Sequence, residues 1–303
     1  MPQKTPRMLI GLPAPAKLNL FLHVIGRRGD GKHLLESVFI HIDLSDTIDL
    51  TERTDGRIVR TGDVEGPAEG DLCVRAALAL RAAAGRPELG AEIRVEKRIP
   101  AGAGMGGGSS DCATTLIGLN RLWGLDLTRG ELERIGVTLG ADVPFFVRGE
   151  NAFVEGIGER LSGIDVPPAE YGVIWPGRGV STAKIFAAPS LTRDSESQRI
   201  AVFSDFLRTR WPELPGRNDL ERTACELEPA IPEALDVLRS CGTVPRMTGS
   251  GSAVFAVLSS NAKTALGERS LPEGWRRFIV QGLPGHPLRA WTREDGEGTP
   301  PGV

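Results

Sequence analysis

IPAGAGMGGGSSDCATTLIGLN, residues 99–120, is the stretch on which the reading of this chain turns. Five of the seven residues from 102 to 108 are glycine: Gly102, Gly104, Gly106, Gly107 and Gly108. Without side chains, their N–H groups can approach an anion closely. The segment upstream, AEIRVEKRI (91–99), alternates as a strand. Downstream, Ser109-Ser110-Asp111 is expected to open a helix running to about Trp123, with Gly124 near its end. A glycine-rich strand-to-helix connection points unpaired N–H groups and a helix dipole at one place, which suits phosphate. The hydroxyls of Ser109 and Ser110 could meet phosphate oxygens or a magnesium ion. The expected triphosphate cradle is Pro100, Ala101, Gly102, Ala103, Gly104, Met105, Gly106, Gly107, Gly108, Ser109 and Ser110.

Other readings of the glycines compete. As a plain turn, the loop would carry the entropic cost of five glycines for no return. Gly102, Gly104 and Gly107 fit a dinucleotide fingerprint with Asp126 further on, but the chain opens with antiparallel-looking strands rather than βαβ units. The segment GRRGDGKH (26–33) imitates a P-loop, yet it ends in His33 and leads into an alternating strand instead of a helix.

Outward from the loop, strands are expected at 18–25, 34–50, 57–60 and 91–99, and helices at 71–85 and 128–139, the latter with Thr128 and Glu131 as a capping box. Residues 141–155 read as a turn followed by a strand. The second half reads as strands at 171–175, 253–258 and 276–280. Its helices are expected near 182–187, 198–210, 217–227, 230–240 and 261–268. The polar end, 293–303, reads as a flexible tail.

At 303 residues and 40% hydrophobic content, the chain can bury two cores. A net charge of −3 argues against nucleic-acid binding. Four scattered cysteines carry no zinc or redox spacing, and with the lack of a leader-like or membrane-spanning apolar run they suggest a cytoplasmic protein away from membranes. No set of metal-ligating side chains is expected.

Four segments in order, PAKLNLFL (15–22), PAGAGMGGGSSDCATTL (100–116), LGADVPFFVRG (139–149) and RMTGSGSAVFA (246–256), resemble the GHMP small-molecule kinases. GRRGDGKHLLESVF (26–39) and AFVEGIGERL (152–161) resemble the branch that acts on 4-diphosphocytidyl-2-C-methyl-D-erythritol. The likeness runs from about Pro13 to Leu288. It implies an α+β, two-domain fold: a ribosomal-S5-like N-terminal ATP-binding domain (8–160) and a ferredoxin-like C-terminal domain (161–292). It further implies transfer of phosphate from ATP, with magnesium, to the 2-hydroxyl of that substrate, on the non-mevalonate isoprenoid route. The alternative is a GHMP kinase acting on another alcohol, and nothing in the residues sets an oligomeric state.

The resemblance assigns roles residue by residue. Asp142 and Lys17 are the catalytic pair, the carboxylate meeting the attacking hydroxyl and the ammonium keeping it ionised. Asn19, two residues along the same strand face, contacts substrate. His33 meets the cytosine edge, Phe39 and Phe186 line the cytidine pocket, Ile157 and Thr182 border it, and Gly249 belongs to a second glycine loop closing over the phosphates. Two positions differ from the usual pattern: Lys32 stands where a tyrosine precedes the histidine, and Asp71 where asparagine is frequent near adenine.

Overall fold

The computed structural model describes residues 6–63 and 70–295. Its first half is organised by two long antiparallel strands, β1 (Met8–Arg27) and β2 (His33–Arg53). Strand β1 begins ten residues earlier than its apolar run suggests. Pro13 and Pro15 argue against a strand, but among the described residues β2 is the only strand laddered along β1, and an edge strand tolerates missing N–H donors. Four register shifts let the pair bend.

The other side of β2 is shared. It takes β5 (Ala152–Gly156) at residues 35–39, β10 (Arg276–Leu283) at 41–42 and β4 (Gly90–Glu96) at 47–53. Strand β3 (Ile58–Gly62) adds in parallel to β4, and β6 (Arg160–Gly163) pairs with β5. Four helices pack on this sheet: α1 (Leu72–Ala83), α2 (Gly107–Trp123), α3 (Arg129–Leu139) and α4 (Val143–Arg148). Helix α2 lies at the centre, in contact with α1, α3, α4, β1 and β2, and is buried along nearly its whole length. Gly118 makes that possible, since a Cβ there would stand 2.5 Å from a Leu50 methyl. The Thr128–Glu131 capping box forms as expected, and Gly124 ends α2 in the left-handed region.

The second half is a smaller antiparallel sheet. Strand β7 (Glu170–Trp175) lies between β10 and β9 (Val254–Val257), with the two-residue β8 (Arg246–Met247) at the end. Around it pack α5 (Thr182–Ala187), α7 (Glu221–Leu227), α8 (Ala230–Ser240) and α9 (Ser260–Glu268), while α6 (Ile200–Arg210) sets Phe203 against Phe21 of β1 and Phe153 of β5. Strand β10 joins the sheets, giving the order β3-β4-β2-β10-β7-β9-β8. The fold class is α+β.

The two halves are interlocked. The β5–β6 hairpin carries pairing across residue 160, and after β10 the chain returns to the first half. There the His286 N–H donates to Gly149 O at 3.0 Å and Leu288 joins the first core. The start of the expected tail is pinned: Arg293 pairs with Asp126 at 3.0 Å and Glu294 with Arg129. Residues 296–303 lie outside the described residues. No helix among the described residues is long and apolar enough to cross a membrane.

Candidate active site

The glycine loop connects β4 to α2, but the helix begins earlier than expected. Its N-cap is Gly106, at φ +72°, and Gly107 is already helical, so Ser109 and Ser110 lie within the first turn rather than before it. A glycine cap has no side chain to accept from the first-turn N–H groups, which leaves them for a ligand. The loop from Ile99 to Ser109, with Leu72 and Lys97, lines a cleft of about 380 Å³.

Glycine is required here by neighbours as well as by conformation. Gly104 lies against Gly249 and Gly251 of the second glycine loop, and a Cβ on Gly249 would stand 2.6 Å from Gly104 O. Ala253 N–H donates to Ala103 O at 3.1 Å, and Ser252 N–H to Gly102 O at 3.3 Å. The segment leading into α5 joins them: the Thr182 and Ser250 hydroxyls are 2.7 Å apart, and Ser252 Oγ donates to Arg178 O.

Beneath the loop lies the expected pair. Lys17 N–H donates to Met105 O at 3.0 Å, fixing β1 under the glycines, and a Cβ on Gly106 would stand 2.9 Å from the Phe146 ring and 3.2 Å from the Lys17 stem. Lys17 Nζ lies 3.9 Å from Asp142 Oδ2 and donates to Asn19 Oδ1 at 2.5 Å. Asp142 precedes α4, a helix where the sequence suggested turn and strand; Pro144 sits in its first turn, where proline's missing N–H costs nothing. The Asp142 side chain makes no capping bond, so the carboxylate remains available to Lys17. Burial pushes the Lys17 ammonium below the ordinary lysine value, and the Asp142 charge opposes that shift.

Asn19 is held on every side. Its N–H donates to Thr248 Oγ1 at 3.0 Å, Thr248 donates back to Asn19 Oδ1 at 3.2 Å, and Asn19 Nδ2 donates to Ser37 Oγ at 3.0 Å. Phe39 belongs to this group: its ring lies under the Lys17 ammonium, 4.5 Å from centroid to Nζ, and packs edge-on against Phe145. It is a buried floor for Lys17, and it is absent from the aromatic pair at the other end of the site.

That pair is His33 and Phe186, brought together from the start of β2 and from α5. Their rings stack at 4.7 Å with planes 25° apart. Arg193 donates from Nε to His33 Nε2 at 3.2 Å. Burial first, then the charges of Arg193 and Arg27, hold His33 below the usual histidine range. Ile157 occupies the β5–β6 turn, where Gly158 lies against Ala141, next to Asp142. Lys32 is exposed, its N–H donating to Asp30.

The described chain therefore presents a glycine-lined cleft of about 380 Å³, a buried ammonium facing a half-buried carboxylate below it and a stacked imidazole–phenyl platform at the end of the same strand pair. Comparison with known proteins gives the family. The family model for the GHMP kinases N terminal domain matches residues 71–150. The 4-diphosphocytidyl-2-C-methyl-D-erythritol kinase of Paracidovorax citrulli is 50% identical over 95% of this chain and 99% of its own length. That of Ralstonia pickettii is 50% identical over 91% and 94%. This chain belongs to the 4-diphosphocytidyl-2-C-methyl-D-erythritol kinase family. A crystal structure of a 4-(cytidine 5'-diphospho)-2C-methyl-D-erythritol kinase superposes with a TM-score of 0.72 at 34% identity, covering 91% of this chain and 99% of that one. The mevalonate kinase of Methanococcus jannaschii shares the fold, with a TM-score of 0.65 at 15% identity over 93% of this chain and all of its own. The two-domain GHMP kinase fold expected from the motifs is thus the fold of this kinase family member.

Several supporting contacts lie outside the sequence reading, and one, the Asp71 cap, lies within it. Lys97 Nζ bridges Asp46 at 2.5 Å and Asp111 at 2.6 Å, and Asp46 also accepts from the backbone N–H groups of Arg98 and Ile99. This staple fixes the entry to the glycine loop. Asn218 donates to Met247 O and Gly249 O, both at 2.8 Å, and so shapes the second loop. Asp71 caps α1 by accepting from Cys73 and Val74, and pairs with Arg60. Of these only the Asp71 cap had a local signal; the others are set by contacts distant in sequence.

Proposed function

We propose that this chain transfers the γ-phosphoryl group of ATP to the 2-hydroxyl of 4-diphosphocytidyl-2-C-methyl-D-erythritol, releasing ADP and the 2-phosphate in isoprenoid precursor synthesis. The observation that carries the reading is the Lys17–Asp142 pair directly under Gly106, at the mouth of a glycine cradle that ends in a helix N-terminus. Phosphoryl transfer asks the protein mainly for positioning and for charge stabilisation. The first-turn N–H groups and the loop 100–110 hold the triphosphate. Asp142 orients the substrate hydroxyl and accepts its proton, and Lys17 compensates the charge gathering on the transferring group. Asn19 touches the methylerythritol end, His33 and Phe186 take the cytosine, and Ile157, Thr182 and Gly249 border the path between. Phe39 contributes through Lys17. The ligands meet between the segments 8–160 and 161–292.

Magnesium fits this reading. It binds chiefly through nucleotide phosphates and retained waters, so it needs one or two hard protein oxygens. Ser110 Oγ and Asp111 Oδ1 are buried oxygens that find no hydrogen-bond partner among the described residues. When bound, the ion would neutralise charge across the phosphate oxygens.

The test is ADP release by purified protein supplied with ATP, magnesium and the cytidylyl substrate. Turnover that CMP inhibits competitively is expected. Binding of ATP without turnover, or turnover of another alcohol indifferent to CMP, would refute the assignment in favour of a relative with a different acceptor.

A further inference from the structure

We propose that Arg193 is a positioning residue that sets pyrimidine specificity, by holding His33 as the tautomer protonated at Nδ1. The proposal rests on the reading that His33 meets the base. Its ground is the way one guanidinium distributes its donors. Nε donates to His33 Nε2 at 3.2 Å, Nη1 to Leu191 O at 3.0 Å, and Nη2 to Phe186 O at 2.9 Å and Ala188 O at 2.8 Å. Arginine has no acceptor atom and keeps its charge in proteins. The His33 nitrogen facing it must therefore present a lone pair, and a neutral imidazole then carries its single proton on the other nitrogen.

The doubly protonated ring is disfavoured as well, since burial and the neighbouring Arg193 and Arg27 charges all act against it. Nδ1 makes no hydrogen bond to any described residue, so its N–H is the polar group that the ring has left to offer. The distinction matters for a pyrimidine. Cytosine carries an unprotonated ring nitrogen at position 3, an acceptor; uracil carries an N–H there, a donor. A fixed donor on His33 matches the first and opposes the second. A polar site left mismatched discriminates far more strongly than an apolar pocket does. The same guanidinium ties down the chain that leaves α5, and with it the Phe186 ring stacked on His33.

The tautomer can be read in the unmodified enzyme by long-range nitrogen–proton NMR of histidine-labelled protein. The proton is expected on Nδ1 of His33, with a pyridine-like Nε2. Finding it on Nε2 overturns the proposal without any variant having to fold. Arg193→Gln should weaken CMP binding by about tenfold and narrow the CMP-over-UMP preference by a similar factor. It should raise KM for the cytidylyl substrate more than it lowers kcat, and leave KM for ATP in place. Arg193→Lys, which keeps the charge but not the fork, should fall between. Equal weakening of CMP and UMP by Arg193→Gln would reduce the residue to a structural tie and reject the proposal. His33→Ala separates the layers. If it leaves CMP affinity unchanged, the underlying assignment of His33 is what failed. If it costs affinity while Arg193→Gln does not, only the role given to Arg193 fails.

Discussion

Two lysines flank the glycine loop, and they are treated oppositely. Lys97, on the strand side, is saturated: carboxylates at 2.5 and 2.6 Å grip its ammonium, and despite burial their charges raise its affinity for a proton. Lys17, under the loop, is more deeply buried, with a side chain 5% exposed. Its one carboxylate stands off at 3.9 Å, its close partner is the neutral Asn19, and its proton affinity is lowered. An ammonium gripped by two carboxylates has little capacity left for an anion, whereas an under-compensated ammonium beside a free carboxylate gains by meeting one. On the proposed function the contrast separates staple from machinery: Lys97 holds the loop's entry in place, and Lys17 is the group left to meet charge arriving with the substrates.

Removing each partner should break the symmetry in opposite directions. Asp142→Ala and Lys17→Met should each lower kcat by about a thousandfold, read in the ADP-release assay. Neither should unfold the protein. Burial of Lys17 makes stability depend on pH. Its folded-state pKa lies below the unfolded one, so between the two values the unfolded chain binds more protons and stability rises with pH. At neutral pH a buried charged Lys17 is a net burden, so Lys17→Met should leave the urea midpoint unchanged or raised.

Lys97→Met should do the reverse. It strands Asp46 and Asp111, both buried, and breaking such a cluster costs about 3 kcal/mol or more of stability. Burial pushes Asp111 up to about 7 even with Lys97 in place. A carboxyl raised in this way binds protons in the folded state that the unfolded chain releases, so its contribution is lost as pH rises toward 7. Without Lys97 that carboxyl is raised further, so the Lys97→Met deficit should shrink as pH falls toward about 7, through the range in which Asp111 is protonated in the variant and ionised in the parent. A deficit independent of pH would mean that Lys97 matters through packing alone.

This contrast also marks how far the sequence was readable. The cradle was legible because five glycines in a strand-to-helix connection have one economical physical use. Lys17 and Asn19 were legible as a pair because residues two apart share a strand face, and their side chains do touch. Not legible was the early start of β1, since the permission that an edge gives to Pro13 and Pro15 depends on what does not pair there. Residues 143–148 alternate poorly and read as turn and strand; helix α4 forms because Phe145 and Phe146 are buried against the first core, which is tertiary information. The same holds for Phe39, whose position under Lys17 depends on the pairing of Asn19 with Phe39 across β1 and β2. Lys97 looked like any basic residue before a phosphate loop, because Asp46 lies 51 positions away.

The contrast can be sharpened by making Lys17 resemble Lys97. Asn19→Asp places a carboxylate where Lys17 Nζ already donates at 2.5 Å. The ammonium should then be held as tightly as Lys97 is, its pKa should rise, and the alkaline fall in kcat that marks loss of its proton should move to higher pH. Activity at neutral pH should drop by about tenfold to a hundredfold, because charge stabilisation in the transition state depends on a donor not already satisfied. An unchanged alkaline limb would show that the limb belongs to another group.

The smallest effect tests what holds Lys17 in place when charge does not. The restraint is a neutral chain: Thr248 Oγ1 accepts from the Asn19 N–H and donates to Asn19 Oδ1, while Ser37 takes Asn19 Nδ2. Thr248 stands at the head of the second glycine loop, so it also couples that loop to the strand carrying Lys17. Thr248→Val keeps the shape and deletes the hydroxyl. One neutral hydrogen bond is worth about 1 kcal/mol, so kcat should fall by roughly fivefold, with a stability loss of about 1–2 kcal/mol for the buried N–H left without its acceptor. KM for ATP should move little, since the first glycine loop keeps its own contacts. If kcat stays put while stability falls, Asn19 is fixed well enough by Ser37 alone, and the second loop closes over the phosphates without steering Lys17.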